Sequence, residues 1–259
     1  MNLYVSGLIW VIGIAALAGI GTIVVHRFVS AEARSSNDAV GQVFTIVGGL
    51  HAVLMAFVLI SLFDTVSSVR DDSHTEANSL VALFWASDSL PDPAKGQIQD
   101  LSKSYARTVI DQEWPKMRDG QAVPDPGWAI LDRLRAAIDG APINNDDDWQ
   151  QARKTEAASQ LWNIYQARQA RITAAGSQGV STVVWLALLA GSLMSIALPY
   201  LLEVRKLSTH IVLMSALAGA IALLLFAIYQ LQNPFSGGAQ IGPDAFVSAI
   251  ERLTSSTAS

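Results

Sequence analysis

Four stretches of the chain stay almost continuously apolar for the length of a membrane crossing. They fall at about residues 7–25, 43–63, 180–202 and 211–231. A helix needs roughly 20 residues to cross ~30 Å of hydrocarbon, and each run meets that length. Without water to bond backbone groups, each must be helical. Aromatic residues mark their ends: Tyr4, Trp10, Phe28, Trp185, Tyr200 and Tyr229. The pattern predicts an all-α integral membrane protein with four transmembrane helices in two hairpins and a helical soluble domain between spans 2 and 3. The parts are hairpin 1 in residues 1–64, the soluble domain in 65–179 and hairpin 2 in 180–231. Residues 232–259 give a turn, a short helix with Phe246, Ile250 and Leu253, and a frayed tail.

Between spans 2 and 3 the apolar positions recur at helical spacing. Thr65 to Asp88 extends the second span outward until Pro91-Asp92-Pro93 breaks it. Ile98, Leu101, Tyr105, Val109 and Gln112 share one side of the next helix, with Pro115 as its expected end. Trp128, Leu131, Leu134 and Ile138 mark another, stopped at Gly140. The acids of Asn144 to Asp148 suit a helix N-terminus. The helix that follows runs past Arg171 and is expected to feed into the third span.

Charge sharpens this division. No Lys, Arg, Asp or Glu occurs from Met1 to His26 or from Leu207 to Asn233. Of the 17 basic residues, 12 lie between Thr65 and Gly179. A mean hydropathy of +0.34 fits a chain part in lipid and part in water. The first segment lacks a basic lead-in, so it is not read as a cleavable signal peptide. A net charge of −5 without a basic stripe argues against nucleic acid. No cysteine is present, which excludes disulfides and thiol chemistry. Arg27 and Arg34 in the first hairpin loop, and Arg205 and Lys206 in the second, favour cytoplasmic loops and an extracytoplasmic soluble domain. Arg70, Arg168 and Arg171 flank the membrane on the domain side and oppose that count.

Catalytic signatures are missing. The four histidines form no HExxH, and there is no P-loop, GxSxG or dinucleotide glycine pattern. The chain is read as not an enzyme, with no cofactor and no metal. The weak metal candidates are Asp71, Asp72, His74 and Glu76, beside the plainer reading of a solvated helix. Asp146-Asp147-Asp148 is a helix cap rather than a calcium loop, because EF-hand spacing is absent. His51, mid-span, is either a pore-lining or gating histidine able to titrate, or a neutral one bonded to a neighbouring helix. Gly48, Gly49, Ala52 and Ala56 are helix-packing candidates. Thr45 to Gly49 faintly echoes a potassium filter, but a filter is non-helical. Pro199 is expected to kink the third span. Five tryptophans lie in the soluble domain (Trp85, Trp114, Trp128, Trp149 and Trp162), most of them read as core and the rest as possible partner anchors.

An ordered set of residues resembles a known family. Ala52 to Val58 is followed by Glu76-Ala77-Asn78-Ser79-Leu80, Leu90-Pro91, Tyr105 through Val109, and Glu113-Trp114-Pro115. Ala167-Arg168, Arg171, Leu231 to Phe235, Gly237, Pro243 and Phe246 complete it. In that order, over about Gly41 to Leu253, the chain resembles the bacterial bestrophin-like membrane family. One departure is Leu231-Gln232, where that family tends to have Leu-Asp. The resemblance implies a homo-oligomeric channel in the bacterial inner membrane, passing inorganic ions through a central pore lined by span 2. By position, Val47, His51, Leu54 and Val58 would line it. It also implies a cytoplasmic soluble domain, against the charge count. The other reading is a structural or signalling membrane protein whose soluble domain binds a partner or ligand.

Overall fold

The computed structural model describes residues 3–28, 37–123, 125–144, 146–177, 179–202 and 206–255, excepting the side chains of residues 3, 4, 37, 38 and 239. Arg34, Arg205, the tail at 256–259 and the Tyr4 side chain lie outside what is described. The regular elements among the described residues are all helices, with no strand. Contacts divide the chain into two compact units: Met1–Asp64 with Gln178–Gln232, and Thr65–Ser177 with Asn233–Ser259.

The first unit is built from α1 (Leu3–Phe28), the first part of α2 (Asn37–Ala86), α7 (Thr182–Ala197) and α8 (Leu207–Leu231). These four helices are long and apolar enough to cross a membrane. Small residues let α1 approach α8. A Cβ on Gly19 would lie 2.9 Å from the Ser215 hydroxyl, and one on Gly7 would overlap the Phe226 ring. Met55 and Leu62 of α2 bury against Leu188 of α7 and Ile221 and Ile228 of α8. At Pro199, α7 tightens into a 3-10 turn, Leu198–Leu201. His210 meets the Pro199 carbonyl at 3.2 Å, and the Tyr200 hydroxyl donates to the Ala18 carbonyl at 2.7 Å.

The second unit holds the rest of α2, then α3 (Ala94–Thr108), α4 (Trp114–Arg118), α5 (Pro126–Asp139), α6 (Asp148–Gly176) and α9 (Asp244–Ser255). As expected, α2 continues past the apolar run to Ala86, and Pro91 and Pro93 separate it from α3. Asp147 caps α6, accepting from the Trp149 and Gln150 amides.

Two expectations fail. Pro115 does not end its helix. A π turn at Val109–Glu113 widens the coil just before it, and α4 carries on to Arg118. Proline lacks an amide hydrogen and crowds the carbonyl four residues back, and a wider turn relieves both. Nor does α6 feed into α7. It stops at Gly176, Gly179 has a left-handed φ of 62°, and Ser181 caps α7 by accepting from the Val184 amide. Gly179 also lies against the Gln232 carbonyl, where a Cβ would come within 2.7 Å.

Candidate functional site

Span 2 presents two faces. His51 is buried, with Nε2 3.0 Å from the Ser192 hydroxyl of α7. Its ring packs on the Cα of Gly191, where a Cβ would overlap it. Leu54 and Val58 pack on the core made by Met55, Leu62, Leu188, Ile221 and Ile228. Of the four residues expected to line a pore, His51, Leu54 and Val58 therefore lie toward the chain's own bundle, and Val47 is half-buried. Ile46, Leu50, Val53, Phe57 and Ile60 occupy the opposite stripe and are 52–68% exposed. Of the packing candidates, a Cβ on Gly48 would meet only Phe44 of its own helix, one on Gly49 would meet nothing, and Ala52 and Ala56 are exposed.

The second unit contains a buried charge cluster that the sequence reading did not assemble. Glu76 of α2, Glu113 of the π turn, and Arg168 and Arg171 of α6 all have fully buried side chains. Arg171 donates from Nε and Nη2 to the two Glu76 oxygens at 2.8 and 2.9 Å, and from Nη2 to Glu113 Oε2 at 3.1 Å. Arg168 Nη1 donates to the same Glu113 oxygen at 2.7 Å and to the Tyr105 hydroxyl at 3.3 Å. The Tyr105 hydroxyl in turn donates to Glu76 Oε1. Aromatic rings wall the guanidinium groups. Arg168 lies 4.7 Å from the Trp128 centroid, and Arg171 lies 5.4 and 5.6 Å from those of Trp114 and Phe246. Trp114 itself donates to the Ile241 carbonyl and meets Phe235 edge-on.

Electrostatics hold the Arg171 guanidinium charged. Burial works against the Arg171 cation most strongly, yet the Glu76 charge and hydrogen bonds, with Tyr105 and Glu113, raise its pKa above the ordinary arginine value. Burial, then the Glu76 charge, pushes the Tyr105 phenol well above its usual range. Two arginines matched by two carboxylates bring the cluster near neutrality, so Arg168 and Arg171 are not free membrane-flanking charges. Glu76 is committed here too, while Asp71 and His74 are exposed. Among the described residues no group of three or more His, Cys, Asp or Glu could hold a metal ion. Of the soluble-domain tryptophans, Trp114 is buried and Trp128 half-buried, whereas Trp85, Trp149 and Trp162 are exposed, contrary to the reading of most as core.

A signal for the cluster was present. Ala157, Leu161, Ile164, Arg168 and Arg171 form one stripe of α6, all buried. Two arginines continuing an apolar stripe imply buried partners. Glu76, Tyr105, Glu113, Trp114, Arg168, Arg171, Phe235 and Phe246, dispersed in sequence, are also among the residues that carried the family resemblance.

Comparison with known proteins gives the same family. No curated protein matches. Among solved structures, a bacterial bestrophin homolog from Klebsiella pneumoniae, bearing a leucine-to-threonine mutation, aligns with a TM-score of 0.70 at 14% identity. It covers 97% of this chain and 99% of its own. Two membrane proteins with proline-to-alanine changes align at 0.67 and 0.68, with 11% and 13% identity, covering 95% and 98% of this chain and 99% and 100% of theirs. At these identities the likeness shows the fold. The model of the bestrophin-like domain matches residues 12–246, and the chain belongs to the bestrophin-like family.

Proposed function

We propose that the protein is one subunit of a homo-oligomeric channel of the bacterial inner membrane, passing inorganic ions passively through a central pore lined by span 2. It is read as a channel rather than an enzyme. The observation carrying this reading is the apolar core of the first unit. Met55, Leu62, Leu188, Ile221 and Ile228 occupy it, and the four spans have no Asp, Glu, Lys or Arg at mid-membrane. Apolar side chains give an ion nothing to replace its water, and a path on a symmetry axis between copies avoids this core.

Span 2 supports this with its unpartnered stripe. Ile46, Leu50, Val53, Phe57 and Ile60 are proposed as the lining, in place of Val47, His51, Leu54 and Val58. Gly49, Ala52 and Ala56 on the exposed side would let neighbouring copies approach closely. A ring of such apolar side chains can gate by dewetting.

Flux from liposomes carrying the purified protein tests the reading, with the oligomer sized in mild detergent. An oligomer that dissipates an ion gradient is expected. A strictly monomeric protein, or a well-folded oligomer without flux, overturns it. The exposed Trp85, Trp149 and Trp162 favour partner binding by the second unit in that case.

A further inference from the structure

The junction of α2 with α7 holds polar atoms that the pore proposal does not use. His51 Nε2 has the Ser192 hydroxyl, but Nδ1 is buried with no hydrogen-bond partner. One turn further along α7, the Ser195 hydroxyl is also buried and unpartnered. The ring lies directly on Gly191, whose missing side chain makes the slot it occupies. A Cβ there would stand 2.9 Å from Cγ and Cε1.

A neutral imidazole fits this slot, since one nitrogen can stay an unprotonated acceptor while the other pairs with Ser192. An imidazolium has two N–H donors, and Nδ1–H would point at a Cα. Among the described side chains of the first unit the one acid is Asp64. Helix α7 has no titratable side chain, α8 has only His210 and Tyr229, and α1 has Tyr4, His26 and Arg27 near its ends. On α2 itself the acid nearest in sequence is Asp38 or Asp64, each 13 residues from His51. A charge isolated in a bundle interior is costly.

We propose that His51 is a proton-sensitive joint between α2 and α7: the neutral ring locks the helices together, and protonation expels it from the Gly191 slot and loosens α2. This names a regulation of the proposed pore and rests on that reading for its effect on flux. The joint itself does not need conduction.

Thermal unfolding of the full chain in phosphatidylcholine nanodiscs, at about pH 8 and about pH 5, brackets the ordinary histidine value of about 6.5. The wild type should lose about 3 °C or more of Tm beyond the loss shown by His51→Gln, which subtracts the other three histidines. His51→Asn serves if His51→Gln does not fold. An equal pH response in wild type and variant overturns the joint. In liposomes, flux that changes with acid in the wild type and not in the variant extends the joint to the pore. Absence of flux at any pH counts against the pore alone, because the unfolding difference still decides the joint.

Discussion

Gly127 stands where little more than a hydrogen fits. A Cβ there would overlap both Glu113 Oε1 and Arg168 Nη2, each buried without a hydrogen-bond partner. Gly127→Ala should therefore destabilise the protein by about 2 kcal/mol or more, read by denaturant unfolding in detergent. Arg171→Leu should cost about 3–5 kcal/mol, because it leaves Glu76 and Glu113 buried without their shared cation. Adding Glu76→Gln should recover part of that loss, and a strictly additive pair would contradict the coupling described. Tyr165 supplies a pH test. Burial, then its hydrogen bond to Asp132, pushes the phenol up from 10.0 to about 12. The folded state thus favours the neutral phenol. Its contribution is fully present below the ordinary value and is lost as pH rises through the folded one. Absorbance titration should show a tyrosinate step near the raised value that Tyr165→Phe removes.

At the scale of elements, turn and cap chemistry reads directly from sequence. Asp147 before Trp149 announces the start of α6, and Asp147→Ala should cost about 1 kcal/mol, seen as faster amide exchange in its first turn. Unchanged exchange would show that the cap is idle. The four spans are legible because hydrocarbon demands long apolar helices. Less legible is what depends on a partner. The π turn before Pro115 keeps the helix going, a choice between ending and widening that tertiary packing makes. The break between α6 and α7 rests on Gly179 fitting against the Gln232 carbonyl, a contact distant in sequence. Arg168 and Arg171 read as membrane-flanking charges because their carboxylates come from two other elements.

For the whole molecule, the same limit decides which face of span 2 matters. Both faces are apolar, so periodicity cannot separate the side turned to its own bundle from the side left open. Packing separates them: Met55 and Leu62 go inward with His51, while Leu50, Val53 and Phe57 stay exposed. The family was readable from its ordered residues, since so many of them meet in one buried cluster. The absence of cysteine makes the central claim directly testable, as each introduced thiol is the only one present. Single cysteines at Val53, Phe57 and Ile60, and at the inward Met55, would be treated with a charged thiol reagent while ion flux from liposomes is followed. The account predicts altered flux for the outward three and none for Met55→Cys. Flux changed only through the inward position, or no flux from well-folded oligomers, would contradict it.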